Sequence, residues 1–153
     1  MSVAQSPAVT TAATATATPE LTHSIQQFYA HQMFLLDSGQ AEAWAGTFTP
    51  DGVFGANAHP EPFSGRAEIA AGARRATDDY AAKGVQRRHW LGMVAVEPRG
   101  EGQAFVRSYA LVVETPRGGF PVIKASTLCE DILVHEGGGW LVADRRVSRD
   151  DLG

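Results

Sequence analysis

The chain has 153 residues, 44% of them hydrophobic and 20% charged, a make-up that fits one globular domain with its own core and excludes a mainly disordered protein. A formal net charge of −4 gives no electrostatic reason to bind nucleic acid or an anionic membrane surface. The single cysteine, Cys129, excludes an internal disulfide and has no companion for a structural zinc site.

Residues 1–18, rich in Ala and Thr, lack the basic start and continuous apolar block of a secretory signal. They read as a disordered leader. No run approaches the roughly 18 apolar residues of a membrane helix, so a cytoplasmic protein is expected. Structure is predicted to begin at Thr18-Pro19-Glu20, with Thr as cap, Pro at the first helical position and Glu at the positive end of the dipole. Leu21, Ile25, Phe28, Gln32 and Leu35 then form one helical stripe, widened by Tyr29, Met33 and Leu36. Asp37-Ser38-Gly39 ends this helix, with Gly39 suited to a left-handed C-terminal position. A shorter helix over 41–48 pairs Trp44 with Phe48, and Thr49-Pro50-Asp51-Gly52 reads as a turn before a short strand at Val53-Phe54.

A proline-containing loop over 57–65 leads into a third helix over 66–83, stopped by Gly84. The pattern then changes. Four β-type segments are predicted at 86–97, 103–115, 120–135 and 140–148, separated by short Gly-rich tips. Helices followed by a meander imply an α+β fold: a curved, cone-shaped antiparallel sheet of about four long strands plus short ones. Three helices are expected to cover its concave side, leaving room there for a small ligand.

Few residues offer chemistry. Asp37 is either an exposed carboxylate in a helix-end turn or an acid or base aimed into the mouth of the cone. His89 heads an alternating row with Leu91, Met93 and Ala95, so it is either a structurally tied histidine or a proton carrier facing inward. On the next strand Phe105, Arg107, Tyr109, Leu111 and Val113 share a row, which suits a pocket wall with polar handles and equally the edge of an oligomer interface. Cys129 reads as a buried small hydrophobe on a strand. Asp131 and Asp144 are expected to bind arginines such as Arg145 or Arg146 structurally. No spacing among His23, His31, His59, His89 and His135 makes a metal triad, and no phosphate-binding loop or nucleophile elbow is present.

Several of these segments, taken together and in order, resemble a known family. Phe28-Tyr29, Leu35-Leu36-Asp37-Ser38-Gly39, Trp44 and the run from Phe48 to Phe54 are similar to the opening of the SnoaL-like branch of the nuclear-transport-factor-2 superfamily. So are Gly65-Arg66-Ala67-Glu68-Ile69, Arg88-His89-Trp90-Leu91-Gly92 and Gly138-Gly139-Trp140-Leu141-Val142. The resemblance extends to scytalone dehydratase, to β-subunits of ring-hydroxylating dioxygenases and to small proteins of aromatic polyketide pathways. It implies a single domain over 19–153, a homodimer or homotrimer, and no cofactor. It also implies that Asp37 and His89 match the acid and the histidine of the dehydratase active site. The dehydratase's further histidine and its tyrosine pair have no secure counterpart here. The expected function is therefore a cyclase, dehydratase or isomerase acting on a small aromatic polyketide-like substrate. Asp37 and His89 would carry protons, Arg107 and Tyr109 would hold oxygens, and Tyr29, Trp44, Phe54 and Met93 would contact the substrate. The alternative is a non-catalytic ligand-binding or accessory module.

Overall fold

The computed structural model describes residues 16–153, so most of the expected leader lies outside the described residues. Helix α1 (Pro19–Asp37) starts where the Thr18 side-chain oxygen accepts from the Leu21 backbone N–H at 3.1 Å, with Pro19 at the first turn. Its buried face carries Ile25, Tyr29, Gln32, Met33 and Leu35. Gly39, at φ +80°, lets the chain turn back so that the Gln40 N–H reaches the Leu35 carbonyl at 2.9 Å. The carboxylate of Asp37 is thereby set at the extreme end of a rigid helix.

Helix α2 (Ala41–Ala45) is shorter than expected. Gly46 ends it, and Phe48 instead opens strand β1 (Phe48–Ala56), although the Trp44 and Phe48 rings still meet edge-to-face at 5.1 Å. The Pro50-Gly52 segment does not precede that strand but interrupts it: pairing shifts between Phe48 and Val53. A proline cannot donate to a ladder, so the chain loops out there and rejoins. The segment expected as a loop over 57–65 ends in a short strand β2 (Phe63–Ser64), which pairs antiparallel with Val53 and Phe54 of β1, and helix α3 (Arg66–Ala82) follows.

Four long strands complete the fold, β3 (Val85–Pro98), β4 (Gln103–Pro116), β5 (Val122–Glu136) and β6 (Gly139–Arg149), with a final turn of 3-10 helix at Asp150–Leu152. They pair antiparallel in chain order within one curved, unclosed six-stranded sheet of order β2-β1-β6-β5-β4-β3. The expectation of a wholly antiparallel sheet needs one correction, because β1 runs parallel to β6. A parallel pair requires a long crossover, and the whole segment from β2 through β5 supplies it.

Strand β3 contains a bulge that changes which residues face inward. Met93 has φ +53° and the register with β4 shifts between Gly92 and Ala95. Before the bulge Arg87, His89 and Leu91 face the helices; after it Val94 and Val96 pack on the core, and Met93 is turned out, 76% exposed. The core joins Ile25, Leu35, Phe48 and Ile69 to Val106, Leu133 and Val142. Among the described residues no helix is long and apolar enough to cross a membrane.

Candidate functional site

A cavity of about 970 Å³ lies between the C-terminal end of α1, helix α3, strand β1 and the inner face of the long strands. Its size suits a small organic molecule. Exposed side chains such as His59 and Lys124 mark its mouth, and the fully buried Asp131 and Arg145 also line it. Trp44, Phe54, Ile69 and Leu91 supply apolar surface.

Asp37 and His89 meet on this wall. The Asp37 carboxylate accepts from the His89 backbone N–H at 2.9 Å through Oδ2 and lies 2.6 Å from the ring Nδ1 through Oδ1. The two side chains keep only 6% and 15% of their exposure, respectively. Gln86 Nε2 also donates to the Asp37 backbone carbonyl, at 3.0 Å, which ties the helix end to the strand. With Asp37 ionised, Nδ1 must be the donor, so a neutral imidazole carries its lone pair on Nε2, and Nε2 has no partner among the described residues. The contact fixes the orientation of the His89 ring.

The other expected site residues divide into two groups. Trp44 and Phe54 line the cavity, in mutual edge-to-face contact at 6.0 Å. Arg107 and Tyr109 do not. Residues directly opposite in an antiparallel pair share a face, and His89 lies opposite Val112, so β4 presents Ala104, Val106, Ser108, Ala110 and Val112 inward. Arg107 and Tyr109 therefore stand on the outer face beside Trp90, and the bulge sends Met93 there too. The size of the side chains misled: a row of large residues suggests a pocket wall, but the cavity is lined here by small residues such as Ala110 and Ala125.

Tyr29 is also displaced from the expected role. It lies in the core, 3% exposed, and its hydroxyl donates to Asp131 Oδ2 at 2.8 Å. Burial first, and then the charge of Asp131, push this phenol well above its ordinary range, so it stays a donor. Asp131 also accepts from Arg145 Nε at 2.9 Å and from Nη2 at 2.8 Å, and Nη2 donates further to Gln32 Oε1 at 2.8 Å. Burial pulls Arg145 toward its neutral form, but the Asp131 carboxylate outweighs it and the guanidinium holds its proton more tightly than usual. The expected pairing of Asp131 with Arg145 is thus present, but deep inside. Gln32, on the apolar stripe of α1, was the sequence signal for this cluster. Asp144 pairs instead with Arg146 on the outside, at 2.9 Å.

Comparison with known proteins agrees with this architecture. The family model for the SnoaL-like domain matches residues 17–146. The chain belongs to the SnoaL-like family. Aln2 from a Streptomyces species is 32% identical, with a TM-score of 0.84 over 90% of this chain and 96% of that one. ActVI-ORFA from Streptomyces coelicolor is 31% identical, with a TM-score of 0.80 over 87% of this chain and 97% of that one. A protein from Catenulispora acidiphila, solved in complex with S-DNPA, is 34% identical, with a TM-score of 0.75 over 88% and 96%. No curated protein matches the sequence.

Proposed function

We propose that this SnoaL-like protein is a cytoplasmic, cofactor-independent proton-transfer enzyme that cyclises, dehydrates or isomerises a small aromatic polyketide-like intermediate. The carrying observation is the 2.6 Å contact of Asp37 with His89 on the wall of the 970 Å³ cavity. Nε2 of His89 takes a proton from a carbon beside a carbonyl, and the imidazolium so formed is stabilised by Asp37. Returning that proton to another carbon gives isomerisation, and passing it to a departing hydroxyl gives dehydration. Attack of the carbanion on a second carbonyl gives ring closure. Trp44 and Phe54 hold the substrate's rings against the base, and this orientation contributes much of the acceleration. Family membership and the ligand complex of the Catenulispora relative support a small organic substrate.

The test is turnover of neighbouring polyketide intermediates by folded variants. Asp37→Asn and His89→Ala are each expected to lower kcat by at least about 100-fold. Activity surviving both changes would leave a ligand-holding module in place of an enzyme. As the expected partner we propose a second copy of this chain, seated on the outer face of β3 and β4. Trp90 and Tyr109 there are 71% and 55% exposed, more large apolar surface than a lone domain usually presents to water.

A further inference from the structure

The buried cluster around Arg145 has features that packing alone does not require. Arg145 is 5% exposed, and its guanidinium is held by Asp131 and Gln32 and lies 5.5 Å from the Phe48 ring centroid, so its plane is locked. Those partners occupy Nε and Nη2, while Nη1 takes part in no hydrogen bond with the described residues. Arg145 lines the cavity, and Nη1 is the one guanidinium nitrogen that no described residue engages. A fixed, permanently charged donor therefore faces the same enclosure as the lone pair of His89.

We propose that Arg145 is an oxygen-binding residue of this cavity, its Nη1 receiving the carbonyl or phenolic oxygen of the ligand whose proton His89 removes. This rests on the proton-transfer reading given above. As the C–H proton passes to His89 Nε2, the electron pair of that bond becomes the enolate, and the negative charge collects on the oxygen at Nη1. When the proton is returned the charge is withdrawn and Arg145 is unchanged. A donor held before the charge develops needs no reorganisation when it does. Asp131, Tyr29 and Gln32 act as positioning residues: they fix the guanidinium and leave one nitrogen to spare. The titratable groups around it are Asp131 and Cys129 on β5 and Tyr29 on α1, and Asp131 is the only carboxylate bonded to it among the described residues. The ligand class that follows is an aromatic ketone or phenol with an oxygen able to carry negative charge.

The probe is para-nitrophenol, whose phenolate absorbs visible light, titrated against the full chain across pH. The wild-type protein is expected to bind the phenolate at least about tenfold better than the phenol, lowering the bound probe's apparent pKa by about one unit. Asp131→Asn combined with Arg145→Gln removes both charges but keeps hydrogen-bonding side chains, and should abolish that preference while neutral phenol still binds. Arg145→Lys keeps the ion pair but offers no second planar nitrogen, and should also lose the preference, so a result stands if the double variant does not fold. Lys124→Gln at the mouth should retain it. The proposal is overturned if the wild-type protein binds no phenolate or shows no preference for it. Retention of the preference in folded Arg145 variants, or its loss with Lys124→Gln, would also overturn it. Phenolate binding through Arg145 without any turnover would remove the enzyme reading alone.

Discussion

Asp131→Asn is the most informative single change to the interior. Asp131 is 1% exposed and accepts three charge-assisted or phenolic hydrogen bonds, one from Tyr29 and two from Arg145. Asparagine keeps the shape but replaces one acceptor oxygen by an NH₂ group, which then confronts donors. It also removes the negative charge that compensates the buried guanidinium. Breaking a buried pair from one side costs about 3–5 kcal/mol, mostly for the charge left behind. For a domain of this size that lowers Tm by roughly 10–20 °C. The assay is urea unfolding followed by tryptophan fluorescence, with a thermal melt by circular dichroism. Asp144→Asn is the control: it breaks a pair with the half-exposed Arg146 and should change stability by less than about 1 kcal/mol. If Asp131→Asn proves as mild as the control, the cluster is not the tightly compensated ion pair inferred here.

Three other outcomes are expected. The hydrogen bond from Arg74, assisted by backbone bonding and the charge of Arg74, holds the Glu42 carboxyl down to about 2. A depressed acid contributes stability above its unfolded value that is lost as pH falls through the folded one. Wild type and Glu42→Gln should therefore differ above about pH 4.5 and converge near pH 2, and parallel acid-unfolding curves would refute the pairing. Burial pushes the Cys129 thiol up, so iodoacetamide at mildly alkaline pH should label it slowly in the native protein and quickly in urea; equal rates would show the strand to be open. Finally, Trp90→Glu with Tyr109→Glu should lower the mass measured by light scattering to that of one chain with the circular dichroism spectrum unchanged. An unaltered mass would place the contact between copies elsewhere.

Local chemistry made much of the chain readable. The Thr18-Pro19 start and Gly39 stop are written in residues whose caps and dihedral preferences act within one turn. The Gly-rich tips at 100–102, 118–119 and 137–139 likewise mark the hairpins of the long meander, with positive φ at Gly100, Gly118 and Gly138. The juxtaposition of Asp37 with His89 was suggested by a family pattern rather than by spacing, since 52 positions separate them. Harder to read were Phe48, which helical spacing placed at the end of α2, and the Pro50-Gly52 turn, which lies inside β1.

Legible in the chain alone, therefore, were the three helices, the four long strands, many of their ends and the two alternating rows of β4. Which row faces the cavity was settled only in three dimensions. Alternation defines two sides without naming the inner one, and a single left-handed residue at Met93 exchanges them midway along β3. Register with β3 then put Arg107 and Tyr109 outside and Ala110 and Ser108 inside. The Tyr29–Asp131–Arg145 cluster likewise exists only once α1, β5 and β6 pack, because its bonds link residues up to 113 positions apart. Low-dielectric burial gives those polar groups their significance, and burial is a property of the assembled fold.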